Sequence, residues 1–576
     1  MIPSSAYLAV QQTALILLPE FVLTTTAVAI MTAAAFLPKP RRFWCRISGW
    51  SIVVALVALM AIAGKSTEIY TAVALNDDFS FYARLVLLLS GLLILGLAHE
   101  EPADDRAGEF FGSVLLITAG AMLVAAANEL AFLFVGLELV SIPTYLLLYL
   151  SRRTASSQEA ATKYFYLSIF ASGLLLYGFA FLYGITGITN LKALAFLFQS
   201  SIPLIPQYYL GLLAIVFIMA GLSFRVAAVP LHFYAPDVYQ GSPIVVAAIL
   251  AWIPKMVGFL ALIRVLTSLF SVLNSGDPLV QKGVIIAWII AAATMILGNL
   301  LALLQKNLKR LLAYSSIAHA GYLMIGIAVA LLNGPRGVFF HGVEAIFFYL
   351  VTYGLMTLGA FGVVGALRIE GRGVSSIDDL AGLARSQPLP ALALTTCLLS
   401  LAGIPPLAGF FGKFAIFASA LGSQFSIGGE WLLVLAVIGV LSAAVGAYYY
   451  LRIVVLMYLA PPTGTMTVHG GWPVAVSVGA CASLSVLLGL YSQPLATASR
   501  AVARASNAHP APESAEVSAT RLRGLGPVAT PAGPVQSPAA GSLGTDRDAS
   551  AVSPESRGSR SGVHSVIDRP VSRPVS

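Results

Sequence analysis

Charged side chains are scarce in this sequence. Of 576 residues only 10% are Asp, Glu, Lys or Arg, against 58% hydrophobic, where a soluble domain carries roughly a quarter charged. A soluble core cannot bury that much apolar surface and still cover itself, so a water-soluble globular protein is excluded. Cysteine is nearly missing as well. Cys45, Cys397 and Cys481 lie far apart, without the closely spaced thiolates that iron–sulfur clusters use. There is no HExxH, no Walker phosphate loop and no GxGxxG between a strand and a helix, so the chain offers no visible place for a metal, a nucleotide or a redox cofactor. Nor is there a concentrated basic patch. The net charge of +8 comes from Lys and Arg scattered over short segments, which argues against a nucleic-acid partner. The first charge is Glu20 and no basic residue precedes Lys39, so a secretory signal peptide is not expected.

What the sequence has in abundance is long apolar runs. A bilayer core of about 30 Å needs roughly 20 apolar residues per helix. Candidates fall at 12–36, 46–64, 79–98, 110–127, 129–150, 161–184, 208–232, 243–266, 283–304, 311–332, 344–367, 390–420, 430–457 and 473–494, fourteen in all. The fourth and fifth are separated only by a turn around Asn128. With the N-terminus outside, interior loops hold fifteen Lys and Arg, among them Lys39, Arg152, Arg310 and Arg368, and exterior loops hold five, Lys65, Lys192, Arg264, Lys282 and Arg336. That imbalance predicts both termini on the outer (periplasmic) side of a bacterial inner membrane. Beyond 494 the chain turns rich in Pro, Ser, Ala and Arg, with no aromatic residue after Tyr491, and residues 495–576 are expected to be disordered.

Against this background five titratable residues stand out at membrane depth: Glu138 in the fifth span, Arg225 in the seventh, Lys255 in the eighth, His319 in the tenth and Lys413 in the twelfth. An ionised side chain at mid-bilayer costs at least about 2.5–3.5 kcal/mol and normally faces protein or a hydrated cavity. Each has a packing alternative. Glu138 can hydrogen-bond around the kink at Pro143, Lys255 can snorkel, and a lone histidine such as His319 is often a hydrogen-bonded core residue. Glu20 and Arg84, near span ends, are read as structural. Together the five describe a polar axis that a purely structural protein has little reason to carry. Two spans are also interrupted, the seventh by Pro230, Pro236 and Pro243 and the twelfth by Gly403, Pro405, Pro406 and Gly409. Proline frees backbone carbonyls, and in lipid such groups survive only where protein or water satisfies them. Spans four to eight and nine to thirteen make two sets of five. An odd number inverts the second set, and the broken helix is the fourth member of each, the pattern of an inverted-repeat transporter. The expected divisions are 1–109 (three helices), 110–270 (first five-helix repeat), 271–460 (second, inverted repeat), 461–494 (a last transmembrane helix) and the 495–576 tail. The fold class is therefore an all-α polytopic membrane protein of about 14 transmembrane helices.

The segments "GLELVSIPTYLLLYL", "FRVAAVPLHFYAPDVYQGSP", "NLKRLLAYSSIAHAGYLMIGI" and "LSLAGIPPLAGFFGKF" resemble the antiporter-like subunits of proton-translocating NADH-quinone oxidoreductase, respiratory complex I, and "PDVYQGSP" points most specifically to subunit N. The resemblance covers roughly 110–460. It implies a fourteen-helix membrane-arm subunit that moves protons. Its partners would be antiporter-like subunits L and M, the small membrane subunits and the lipid bilayer; NADH, FMN, iron–sulfur clusters and quinone would be handled by other subunits. It also implies a relay through Glu138, Lys255, His319 and Lys413, with His232 as a secondary link. Arg225 departs from the family pattern, which has lysine there. Arginine does not give up its proton in proteins, so Arg225 is expected to supply a fixed positive charge that favours an ionised Glu138 and a neutral Lys255. A lineage whose intake half-channel no longer pumps is the rival explanation. A cation/proton antiporter of the Mrp type and a non-pumping scaffold of the membrane arm are the alternatives in function.

Overall fold

Apolar runs that leave water must satisfy their backbone internally, and a helix does so within the segment. The computed structural model describes residues 13–65, 72–150, 154–194, 205–271, 273–332, 340–423, 429–462 and 464–506, together with Gln11 and Phe198. Three helices come first: α1 (Leu18–Phe36), α2 (Arg41–Ala61) and α3 (Asp78–Leu97). They are followed by α4 (Ala107–Ala126), α5 (Leu130–Leu150), α6 (Ala155–Thr186), α7 (Ile205–Val226), the short α8 (Ala235–Gly241) and α9 (Ile244–Leu262), which a π-helical turn and a last helical turn extend to Phe270. Then come α10 (Pro278–Leu303), α11 (Leu308–Leu331), α12 (Gly342–Ala366), α13 (Pro388–Ala402), α14 (Ala408–Gly422), α15 (Glu430–Leu459), α16 (Gly471–Leu490) and α17 (Gln493–Ser506). Among the described residues thirteen helices are long and apolar enough to cross a membrane, and α13 with α14 are shorter apolar helices that together make the interrupted twelfth crossing. The total matches the fourteen crossings expected from hydropathy.

Local chemistry sets many helix ends. Asp77 caps α3 by accepting from the Ser80 amide at 2.8 Å, and the Asp77 amide donates back to Ser80 Oγ at 3.2 Å. Asn307 caps α11 through the Arg310 amide at 3.1 Å. The bundle is graded from core to rim. The apolar windows of α9 and α11 are 94% buried inside the protein and that of α12 is 89% buried, whereas α1 is 28% and α15 and α16 are 33%. The centre is therefore built from α9, α11 and α12, and the outer helices present leucine and valine to lipid. Because lipid tails are as apolar as leucine, helices associate through close packing and small residues. Helices α10 and α11 show this: a Cβ on Gly298 would lie 2.6 Å from the Ala318 nitrogen, and one on Gly321 2.7 Å from that of Met295.

The expected breaks are present, with one correction. Helix α7 ends at Val226, and the chain turns through Pro230 before α8 starts. Pro236 does not break a helix. It lies in the first turn of α8, where a missing amide donor is harmless. Helix α13 ends at Gly403 in the left-handed region (φ 87°), and Pro405 and Pro406 separate it from α14. Hydropathy also missed a small antiparallel sheet of order β2–β1–β3, formed by β1 (Leu367–Ile369), β2 (Arg372–Gly373) and β3 (Met466–Val468). Its strands join the end of α12 to the segment before α16.

The C-terminal expectation began too early. Residues 493–506 form α17, whose Leu495, Ser499, Val502, Ala503 and Ser506 are buried along one face. Arg500 reaches Glu344 at the start of α12 (3.2 Å), and the Ser506 carbonyl accepts from Lys192 at 3.3 Å. Alanine- and arginine-rich composition hid an amphipathic helix there. The rest of the expected tail, 507–576, lies outside the described residues. Replacing Gly321 with alanine forces a Cβ against the α10 backbone and is expected to cost about 1–3 kcal/mol. Gly479→Ala, where a Cβ meets nothing within 4 Å, serves as the matched control, and the thermal unfolding midpoint reports both.

Candidate functional site

The polar residues singled out in the sequence lie on α5, α7, α9, α11 and α14, and the fold gathers most of them through partners the sequence did not announce. On the first side, Glu138 of α5 pairs with Arg225 in the last turn of α7, Nη2 to Oε1 at 2.7 Å. The Arg225 side chain is only 2% exposed and that of Glu138 25%. Arg225 also donates to the Leu137 carbonyl at 3.0 Å, to Ser172 Oγ at 3.2 Å and to Ser141 Oγ. Ser172 of α6 in turn donates to Glu138 at 2.5 Å. One guanidinium thus spans four oxygens, which its five fixed donors allow and the three of a lysine do not.

At the centre, Lys255 of α9 donates to the carbonyl of Ser316 on α11 and, at 2.7 Å, to its hydroxyl. Tyr353 of α12 lies 3.4 Å away through its hydroxyl, donates to Ser316 Oγ at 2.8 Å, and places its ring 4.6 Å from the Lys255 ammonium. Next along α11, both ring nitrogens of His319 face tyrosine hydroxyls. Nδ1 is 2.5 Å from Tyr349 of α12, and Nε2 is 3.1 Å from Tyr450 of α15, which also meets Ser315. The Lys255 and His319 groups touch through Tyr353, whose ring is 5.0 Å from the imidazole.

On the second side the interrupted helix explains its own lysine. The last carbonyls of any helix lack intrahelical partners and carry partial negative charge. Lys413 of α14 caps the end of α13 by donating to the carbonyls of Leu401 (2.8 Å) and Ala402 (2.9 Å). Gly403 keeps that approach open, since a Cβ there would lie 3.0 Å from Lys413 Cδ. The Lys413 ammonium also sits 5.2 Å from the ring of Tyr322, which packs edge-on against His319. Lys255, His319 and Lys413 therefore lie on one contiguous path across α9, α11, α12 and α14.

Two sequence expectations are not met by direct contact. Among the described residues no hydrogen bond or ion pair joins Arg225 to Lys255. The helices nonetheless touch, and the Arg225 Cβ would be 3.1 Å from a Cβ on Gly258, one turn from Lys255. His232 stands in the turn after α7, half-buried, with the Pro230 backbone as its nearest hydrogen-bonding group, and among the described residues it makes no contact with Glu138, Lys255, His319 or Lys413. The turn's freed groups are satisfied elsewhere: Tyr234 donates to the Phe224 carbonyl at 2.9 Å, and the Val229 amide to Thr294 at 3.0 Å.

Other charged groups went unassigned or were read as merely structural. Asp237 of α8 clamps Lys163 of α6 and Arg310 of α11, each at 2.7 Å. Arg264, in the π turn after α9, makes a paired contact with Asp77 and donates to the Ala125 carbonyl. Glu20 and Arg84 form a fully buried pair at 2.9 Å, in keeping with the structural reading. Repeated Tyr and Ser on the most buried helices were the missed signal: Tyr349 and Tyr353 one turn apart, Ser315 and Ser316 beside His319, and Tyr449–Tyr450 in α15.

This geometry defines a class: a polytopic helical membrane protein with an ionisable axis through its interior and two interrupted helices flanking it. Residues 127–445 match the family model described as NADH:quinone oxidoreductase/Mrp antiporter, TM. NADH-quinone oxidoreductase subunit N 1 of Rhizobium meliloti (strain 1021) is 36% identical over 493 residues, 84% of this chain and 97% of that one. Among solved structures, a chain of respiratory complex I from Thermus thermophilus with bound aureothin is 33% identical at a TM-score of 0.68, covering 83% of this chain and 98% of that chain. A chain of the Mrp complex from Dietzia sp. DQ12-45-1b shares the fold at 21% identity and a TM-score of 0.71, covering 88% of this chain and 99% of that chain. The chain belongs to the family of NADH-quinone oxidoreductase subunit N.

Burial pushes the Asp237 carboxyl upward, but the hydrogen bonds and charges of Lys163 and Arg310 outweigh it and hold the group below the usual carboxylate range. A lowered folded value stabilises above the ordinary pKa of about 3.9 and is lost as pH falls through it. Asp237→Asn should therefore lower the thermal midpoint at pH 7, with the gap to the parent protein closing below about pH 4.

Proposed function

We propose that this chain is a proton-translocating membrane-arm subunit of an NADH-quinone oxidoreductase, moving protons across the bacterial inner membrane while NADH oxidation and quinone reduction occur on other subunits. The observation that carries the reading is the contiguous path from Lys255 through Ser316 and Tyr353 to His319, and from there past Tyr322 to Lys413, inside the most buried helices.

The residues divide the work by chemistry. Protons enter from the interior beside Glu138, which is paired with Arg225. Arg225 keeps its proton and holds Glu138, Ser141 and Ser172 in register. Lysine can give up its proton where arginine does not. His319 takes a proton on one ring nitrogen and releases it from the other without turning, since each nitrogen already faces a hydroxyl. Hydrogen bonds join Lys255, Ser316 and Tyr353 on one side and Tyr349, His319 and Tyr450 on the other. Ring contacts at Tyr353 and Tyr322 bring these groups and Lys413 together, and waters would carry the proton across both gaps. Lys413 then passes the proton outward from the end of α13. Moving one charge against 100 mV costs about 2.3 kcal/mol, and nothing in the chain's own chemistry supplies it. The drive arrives from neighbouring complex I subunits. The distribution of Lys and Arg favours both termini on the outer side.

Purified complex in proteoliposomes provides the test. Lys255→Ala and Lys413→Ala should each lower quinone-driven proton pumping at least about tenfold, with the complex still assembled; undiminished pumping in both would instead mark a scaffold. Arg225→Lys should keep pumping intact, and its abolition in a normally assembled complex would contradict the fixed-charge role. Glu138→Gln should impair pumping, whereas indifference at Glu138 alongside loss at Lys413 would mean an inactive intake side.

A further inference from the structure

The ionisable axis leaves unused a cleft on the far side of α13. It lies between α12, α13 and α16, has a volume of about 490 Å³, and is lined by Ala393 and Thr396 of α13 and by Ala475, Gly479 and Ala482 of α16. The space is open, since a Cβ on Gly479 meets nothing within 4 Å. Its lining runs along α16 from Gly471 to Val486, roughly 22 Å of helix axis, somewhat longer than the ~15 Å of hydrocarbon in one leaflet. A single hydrocarbon chain fits.

At one end the apolar walls give way to charge. A second cavity of about 160 Å³ shares Ala366, His469 and Val474 with the first, and Arg41, Arg368, Glu100 and Glu101 line it. Arg368 is anchored at this rim by bonds from Nη1 to the carbonyls of Gly365 (2.6 Å) and Leu367 (2.9 Å). Glu100 lies 3.5 Å from Arg42. A simple anion placed here meets two carboxylates, and a simple cation meets two guanidiniums. A phosphate and an amine joined a few ångströms apart satisfy both signs at once, and such a group on a hydrocarbon chain sits at this depth of a membrane.

We propose that this composite cleft binds one membrane phospholipid with a zwitterionic, phosphate-plus-amine headgroup. The acyl chain lies against Gly479 between α13 and α16, and the headgroup lies among Arg41, Arg368, Glu100 and Glu101. The lipid then braces α13 from outside, five residues from the Leu401 and Ala402 carbonyls that hold Lys413. The site stands on its own geometry and does not require the pumping assignment.

The test uses the assembled complex in liposomes doped with phosphatidylethanolamine or phosphatidylglycerol carrying a diazirine in the acyl chain, with photolabelled peptides mapped by mass spectrometry. The ethanolamine probe should label residues 388–396 and 471–486, and exceed the glycerol probe about fivefold. Gly479→Leu fills the open space and should remove most of that labelling, while Gly479→Ala retains it and unchanged thermal midpoints confirm both variants fold. Glu100→Gln combined with Glu101→Gln should erase the headgroup preference, because both probes carry the phosphate and only the amine meets these carboxylates. Labelling unaffected by Gly479→Leu would mean annular lipid only and overturn the proposal. So would preference for the glycerol probe, or no labelling of these segments because a neighbouring subunit covers them.

Discussion

A positive charge inside a bilayer persists only where the protein supplies the oxygen atoms that water would otherwise provide. That constraint organises the interior. Lys413 takes its oxygens from a helix that stops early, Lys255 from a serine on the facing helix, and Arg225 from a carboxylate, a carbonyl and two hydroxyls. The break before α14 is thus more than a hinge. Ending α13 at Gly403 exposes carbonyl groups in the one place where a lysine must be lodged, and the missing side chain at Gly403 admits the aliphatic stem.

The three cations are held differently, and the difference bears on what each does. The two lysines rest on uncharged carbonyl and hydroxyl oxygens, partners that accept an ammonium but do not trap it. Arg225 is tied to a carboxylate and to three further oxygens on α5 and α6. Charge-assisted bonds of that kind are roughly twice as strong as neutral ones, and losing one partner of a buried pair is strongly destabilising. Arginine at this position makes the first side of the axis a rigid electrostatic element; under the proposed function, exchange falls to Glu138 and to the lysines beyond. The helix contact at Gly258 places that rigid element one turn from Lys255 without a direct bond between them.

Much of this was legible in the sequence. Hydropathy located the crossings because each run must span the same hydrocarbon thickness, and the cost of charge in lipid marked Glu138, Arg225, Lys255, His319 and Lys413 as groups that face protein. The misses share a cause. Tyr349, Tyr353, Tyr450 and Ser316 look like ordinary members of apolar helices, because one hydroxyl hardly changes the hydropathy of a span; only a neighbouring helix shows where it points. Pro236 was misread because proline disrupts a helix interior yet favours a first turn, and one-dimensional spacing did not reveal that α8 begins there. Helix α17 was taken for tail because its stability comes from docking one face on α12 and α3, not from its own composition.

The sequence by itself determined that this chain lives in a membrane, how often it crosses, and which side chains are too polar to face lipid, because transfer free energies act on each residue wherever its neighbours lie. Tertiary structure alone decided which oxygen meets which cation, that Arg225 is committed to Glu138 while Lys255 and Lys413 are not, and that His232 stays apart. Those outcomes depend on contacts of about 3 Å between helices distant in the chain, and a hydrogen bond of that range is set by packing geometry.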